Sequence, residues 1–419
     1  MIFACPFHCL NGACFFHRDA DMGFSNVIAQ QRVKAMLSGA IKSGAIAHAY
    51  CFYGEEGIGK DALAISLAQI LNCNNPISVS DGTVDSCGKC KNCLDINRLE
   101  HPNLMFITAL PAGKSTAKLE DSPLLQLSEE NLALYKEEIS LKAEDPYHSI
   151  SLPNAQTIRI ASIRDIKKQV KMTATQDGRR VFILSQAERM NMEAANAFLK
   201  TLEEPHDNIT FILTTSKKDA LPQTILSRCQ QVYCDILPQT DLAHALIDKH
   251  GMSITEAQLI QAFAQGSYGR ALAFMNEDIQ SMRSDIIDVL RSALKRKHYR
   301  LDLMQQLEHA IADKDRTKLE LMLRMLALWL RDCHYAVNVS DSNDGIMNSD
   351  QVESIRKFAS AFPNADYHSI LEMIESSIEQ IRRNVNGSLV MFTTMMACRE
   401  TFLLNTKEFI DHAPTDLSR

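Results

Sequence analysis

The chain has 419 residues, 46% of them hydrophobic, which is enough to bury more than one core and sets an expectation of about two or three domains. Its formal net charge of −7, from 44 basic and 51 acidic residues, excludes a globally basic nucleic-acid binder, so any contact with a polyanion must come from a local basic surface. Neither a run of about 18 apolar residues nor a basic segment leading into an apolar core is present, so no membrane partner is expected and the expected address is cytoplasmic.

Residues 1–21, MIFACPFHCLNGACFFHRDAD, show neither helical nor strand period, and two readings stay open: a doubtful extension, or a true start at Met22. Cys5, His8, Cys9 and His17 are the ligands a second metal site would use there, although their irregular spacing speaks against one. From Gln30 to Ile41 the apolar residues Val33, Met36, Leu37, Ala40 and Ile41 recur at helical spacing, and AHAYCFYG then predicts a short buried strand ending at Gly54. NLMFITAL predicts a further strand. Residues 111–156 are polar and loop-rich around one amphipathic piece, LLQLSEENLALYKEEISL, and are expected to be an insertion. A helix over 162–171, a strand from Val181, a helix over 191–202 and a strand from Ile209 follow. Strands alternating with helices predict a parallel sheet covered on both faces, an α/β domain over 22–237.

Beyond Pro238 the strand signals nearly vanish, and 241–250, 255–265 and 270–275 predict short helices, hence a small helical domain over 238–276. Long amphipathic segments such as SMRSDIIDVLRSAL, LELMLRMLALWLRDCHYAV and YHSILEMIESSIEQIRRNV predict an all-α domain over 277–419, its Met and Leu stripes being bundle core.

Residues 54–61 read GEEGIGKD, between a predicted strand and a predicted helix. Gly54, Gly57 and Gly59 allow backbone amides to turn around a phosphate, the helix start adds its positive end, and Lys60 would neutralise the outer phosphates. The full pattern has Ser or Thr after the lysine, because that hydroxyl ligates magnesium; here the residue is Asp61. A nucleoside triphosphatase of this kind also needs an acidic pair after a neighbouring strand, and VFIL is followed instead by Ser185 and Gln186. Glu188 is the nearest carboxylate and reads as a solvated loop residue. These two independent defects leave weak binding of ATP or ADP as the expectation and argue against hydrolysis.

Cys73, Cys87, Cys90 and Cys93 form C-x13-C-x2-C-x2-C, a spacing that lets four thiolates converge on one tetrahedral zinc ion. With no ligand position left open the expected role is structural, and a redox pair of Cys90 and Cys93 is the competing reading. On the helix at 162–171, Arg164, Lys167, Lys168 and Lys171 share one face while Ile163, Ile166 and Val170 share the other. The basic face is either a track for a DNA backbone or a solvated surface.

The order of these motifs resembles the clamp-loader subunits of bacterial DNA polymerase III: VIAQ, the phosphate loop, the cysteine knuckle followed by EHPNL, then NAFLKTLEEP, TILSRCQ and GSYGRAL. The resemblance covers 22–110 and 157–275, and the C-terminal third only through helicity and RRNVNGSL. It implies an AAA+ domain over 22–237 carrying the zinc module at 73–93 and the insertion at 111–156, a helical lid over 238–276, and a helical collar over 277–419 through which five subunits form an open ring. It also implies a function, loading the sliding clamp on primed DNA, and partners, the gamma/tau motor and delta subunits. Residue by residue, Arg228 resembles the arginine finger presented to ATP on a neighbour, Arg270 the lid arginine that senses nucleotide, Thr214 or Thr215 the sensor of the fourth strand, and Val27 with Ile28 the adenine-side contact. Motor subunits keep Ser or Thr after the loop lysine and an Asp-Glu pair, whereas the delta-prime branch commonly loses them, as here at Asp61, Ser185 and Gln186. A delta-prime-like subunit without intrinsic ATPase is therefore expected, with an ATP-hydrolysing gamma/tau-type motor as the alternative.

Overall fold

A computed structural model describes residues 23–79, 82–112, 122–172, 177–204, 207–275, 279–311, 316–339, 345–383 and 385–404, and the N-terminal stretch with its Cys5, His8, Cys9 and His17 lies outside them. The described chain divides into two compact units, one within Met1–Ala245 plus Gly266–Arg270, the other within Leu246–Gln265 plus Ala271–Arg419.

In the first unit α1 (Gln31–Ser43) leads into β1 (Ala49–Tyr53), and α2 (Lys60–Asn72) follows directly on the glycine loop. A two-stranded hairpin, β2 (Ile77–Ser78) and β3 (Val84–Asp85), and the short α3 (Lys91–Asn97), with Cys87 and Cys90 between them, precede β4 (Leu104–Ile107). The insertion contributes α4 (Glu129–Glu144), whose Ser128 caps it by accepting from the Asn131 amide. Then come α5 (Ile160–Lys171), β5 (Arg180–Leu184), α6 (Met192–Glu203), β6 (Ile209–Thr215), the single turn α7 (Gln223–Leu226) and β7 (Gln230–Tyr233).

Five strands pair in parallel in the order β4-β5-β6-β1-β7, so the expected parallel sheet is present and its order is that of an AAA+ domain. Phe182 of β5 stacks on Phe211 of β6, and Phe198 of α6 meets Phe211 edge-on, with Ile163, Ile166 and Val170 of α5 completing that layer. Helix α2 is buried along almost its whole length and packs on β5 and β6. Because β1 lies between β6 and β7 while the chain returns to the far edge at β4, the carboxyl end of β1 is at the position where an open α/β sheet places its ligands. The glycine loop lies there.

Helices α8 (Gln239–His250), α9 (Ile254–Ala264) and α10 (Tyr268–Met275) make 238–276 helical where it is described, as expected, and the boundary between the two units runs through it. The second unit continues as α11 (Ile279–Leu294), α12 (Tyr299–Ala310), α13 (Arg316–Asn338), α14 (Val352–Ala361), α15 (Tyr367–Arg382) and α16 (Gly387–Leu404). Helix α13 packs against α11, α14 and α15, and its Trp329 meets Phe358, which with Phe402 and Tyr367 forms an aromatic centre. The Met and Leu stripes are core: Met322, Met325, Met391 and Met395 are fully buried. No helix among the described residues is long and apolar enough to cross a membrane.

Candidate nucleotide cradle and metal knuckle

The glycine loop turns where its sequence requires: Gly57 and Gly59 have φ of 76° and 96°, the left-handed region that side chains resist. Helix α2 then starts at Lys60, as an anion-binding loop demands. The lysine itself, however, turns back, its Nζ donating to the carbonyls of Gly54 and Glu55. Burial lowers its pKa, against the pull of neighbouring acids led by Asp61.

Asp61 stands where the phosphate-loop pattern has Ser or Thr. Its Oδ1 accepts from Thr214 Oγ1 at 2.6 Å, and its Oδ2 accepts from Ser185 Oγ at 2.8 Å and from Lys142 Nζ at 3.0 Å. Lys142 comes from α4 of the insertion, is 2% exposed at its side chain, and also donates to the His148 carbonyl at 2.6 Å. Burial alone would raise the Asp61 carboxyl, but the Lys142 charge and the hydrogen bonds from Thr214, Ser185 and Lys142 outweigh it and hold its pKa below the ordinary value. A depressed folded pKa means stability that is full above the unfolded value near 3.8 and is lost as the pH falls through the folded one. The stability gap between wild type and Asp61→Asn is therefore expected to be widest at neutral pH, on the order of 3 kcal/mol for a broken buried pair, and to shrink below about pH 4. Urea midpoints at pH 7, 5, 4 and 3 measure it; a gap independent of pH would show that the ion pair carries no stability.

The predicted sensor Thr214 is thus at the site, whereas Thr215 instead accepts from the Lys217 amide. Gln186 takes φ 53° after β5, its amide facing Thr214 Oγ1 and its Nε2 reaching Ser149 Oγ of the insertion at 3.4 Å. Glu188 accepts from the backbone amide and hydroxyl of Ser216, a loop tie rather than a free solvated acid. Val27 and Ile28 are buried, and the Ile28 amide donates to the Tyr147 hydroxyl at 2.8 Å. Arg270 follows the loop Gly266–Gly269, where the Gly269 amide donates to the Gly57 carbonyl at 2.9 Å and Ser267 Oγ donates to the Glu56 carbonyl at 2.8 Å. Arg228 stands apart, after α7, with its Nη2 on Glu203 Oε1 at 2.7 Å and its Nη1 donating to the Thr224 carbonyl. Lys142, Tyr147, Ser149 and Glu203 were not singled out by their sequence; the one available signal was Asp61 itself, since a carboxylate at a buried helix start demands a cation.

The four cysteines converge as their spacing predicts: Cys73 ends α2, Cys90 caps α3, Cys93 lies within it, and all four sulfurs fall within 4.8 Å of one another. The Cys87 amide donates to Cys73 Sγ at 3.2 Å and the Cys90 amide to Cys87 Sγ at 3.4 Å, the donors that a thiolate cluster needs. Sulfur separations of 3.9 Å for Cys87–Cys93 and 3.4 Å for Cys90–Cys93 bracket the roughly 3.8 Å of a tetrahedron with metal–sulfur bonds of about 2.3 Å, so the set fits a metal ion. Asp85, in the adjacent hairpin, accepts from the amides of Phe24 and Ser25, tying this module to the segment that carries Val27 and Ile28.

The family described as "DNA polymerase III, delta subunit" matches residues 29–237. A DNA polymerase III subunit delta' of Pseudomonas aeruginosa is 30% identical over 272 residues, covering 64% of this chain and 67% of that one. The chain belongs to the delta-prime family of DNA polymerase III clamp-loader subunits. The delta' subunit of Bacillus subtilis is 24% identical over 372 residues, 88% of this chain and 96% of its own, so the likeness to that delta-prime protein runs through most of both chains. The tau subunit of Escherichia coli is 29% identical over 263 residues but is much longer, and the match spans 33% of it.

On α5 Arg164, Lys168 and Lys171 are exposed and Lys167 half-buried, while Ile163, Ile166 and Val170 are in the core, the two faces expected of this helix. Burial lowers the Lys167 pKa, the positive charges of Lys200 on α6 and of Lys171 lower it further, and Glu204 opposes them.

Proposed function

We propose that this chain is the non-hydrolysing delta-prime subunit of a clamp loader, assembling with gamma/tau motor and delta subunits to place a sliding clamp on primed DNA, and lending Arg228 to the nucleotide of a neighbour. The observation that carries the silent half of this reading is the engagement of Asp61. The residue at the magnesium position is held by Lys142, Thr214 and Ser185 at once, and no carboxylate stands at Ser185 or Gln186 to ready a water. The gamma/tau-type alternative requires a working version of that site. Arg228 supports the other half: a planar, permanently charged group on the unit's surface suits stabilisation of a transferring phosphoryl group supplied by another chain. Zinc in the cysteine knuckle serves the fold, holding the hairpin that Asp85 ties to residues 24 and 25. The test is reconstitution. The purified chain alone should show no ATP turnover, and clamp loading by motor and delta subunits should depend on adding it; robust turnover by the isolated chain would overturn the reading in favour of the motor.

The basic face of α5 is proposed to follow the DNA backbone, where each phosphate contact adds about 0.9 to the salt dependence of affinity. Replacing Lys167, Lys168 and Lys171 by Glu is expected to weaken primed-DNA binding of the assembled loader at least tenfold at low salt and to flatten its salt slope by about 2 to 3. Unchanged anisotropy titrations across that salt range would assign the lysines to plain solvation.

A further inference from the structure

The insertion packs onto the glycine loop rather than looping away from it. Its Ile150, Leu152 and Ala155 join the core beneath the sheet, and Leu134, Tyr135 and Ile139 of α4 pack against the same cluster. The turn that follows α4 brings Tyr147, 6% exposed, against the phosphate loop so closely that a Cβ on Gly59 would stand 2.5 Å from its ring. The same ring meets Tyr268 edge-on at 4.8 Å, and its hydroxyl takes the Ile28 amide on the adenine side. One helix turn earlier, Lys142 sets an ammonium on Asp61, the residue standing where an intact loop offers its magnesium-binding hydroxyl. Ser185, at the strand-end position of the missing magnesium-holding acid, donates to the same carboxylate oxygen. Cation, aromatic body and adenine-side hydrogen bond thus all come from residues 142–147.

We propose that residues 142–147 are a built-in occupant of the cradle, Lys142 standing in for the metal ion and Tyr147 filling the loop, so that this AAA+ module keeps a liganded arrangement with no nucleotide. This rests on the reading of the site as silent, and adds to it the cause: exclusion by the insertion, beyond the loss of catalytic groups. Two consequences separate it from simple decay of the motif. Restoring the hydroxyl alone does not restore binding, because Tyr147 remains on Gly59. Removing the occupant together with Asp61 does.

The experiment measures Mg-ATP binding to the full-length chain with a fluorescent ATP analogue and magnesium, for wild type, Asp61→Thr, and the triple variant Asp61→Thr, Lys142→Ala, Tyr147→Ala. Wild type and Asp61→Thr are expected to show no saturable binding up to millimolar analogue, and the triple variant to bind at least tenfold more tightly. Equal binding by Asp61→Thr and the triple variant would overturn the proposal, as would a folded triple variant that does not bind. Should the triple variant fail to fold, amide hydrogen exchange of residues 54–61 in wild type and Tyr147→Phe decides: protection unchanged by Mg-ATP supports an occupied cradle, and protection gained on adding it overturns one. Clamp loading is assayed in parallel with wild type. If loading depends on the chain while the binding series fails, only the occupant is lost; if the wild-type chain hydrolyses ATP, the silent reading falls as well.

Discussion

Replacing Arg228 by Ala is expected to slow hydrolysis at the neighbouring nucleotide site by about a thousandfold, the lower end of what a trans arginine supplies, while leaving the subunit folded and assembled. The side chain is half-buried and its partners, Glu203 and the Thr224 carbonyl, are exposed, so its removal strands no buried charge. Stability should change by less than about 0.5 kcal/mol, as for other surface positions. Single-turnover ATP hydrolysis by the reconstituted complex, read beside gel filtration of that complex, separates the two effects. Arg228→Lys should recover little, since a compact ammonium lacks the planar fork that spans two oxygens. Undiminished hydrolysis by Arg228→Ala would assign the residue to an ordinary surface ion pair with Glu203.

With zinc in the cysteine knuckle as proposed, chelating it, or replacing Cys90 and Cys93 by Ser, is expected to have the largest effect on stability. Structural zinc sites bind with an apparent strength of about 10–16 kcal/mol, and all of it is folding energy because the ligands meet only in the folded loop. Losing even about 4 kcal/mol would lower the melting temperature by roughly 10 °C in a domain of this size. The loss should spread beyond the knuckle. Asp85 holds Phe24 and Ser25, so the segment bearing Val27 and Ile28 loses that anchor when the hairpin loosens and keeps the bond from Ser66 of α2 to the Gly23 carbonyl. One zinc per chain by elemental analysis, a lowered melting temperature after chelation, and faster proteolysis near residue 24 are the expected observations. A chain that is fully stable and metal-free as purified would return Cys90 and Cys93 to the redox reading.

Much of this architecture was legible because local pattern and tertiary role agree. The apolar runs AYCFY and RVFIL are central strands buried on both faces, and α5 separates Ile163, Ile166 and Val170 from its lysines at helical period. The strand β7 was not legible: Gln230, Gln231 and Tyr233 are exposed and only Val232 is buried, so an edge strand with a single inward residue leaves no alternation to detect. The cysteine site was fully legible, since its ligands come in short spacings. The cradle was legible only in what it lacks. Asp61 announced a defect, but its partner lies 81 positions along the chain in a segment with polar, weakly periodic sequence, and nothing local marks Lys142 or Tyr147 as different from surface residues. Long-range pairing of this kind is decided by packing, with Lys142 stretched along Phe106 and Tyr147 seated between the loop and Tyr268.

Under the proposed trans role of Arg228, its contact with Glu203 would bear on how quickly and selectively subunits join. A guanidinium already steadied by a carboxylate has surrendered part of its rotational freedom before any partner arrives, and reaching a triphosphate becomes an exchange of one anion for another. An empty neighbour, offering no phosphate charge, would compete poorly with Glu203, so under the proposed role this surface acid sets the threshold that a neighbouring nucleotide must exceed.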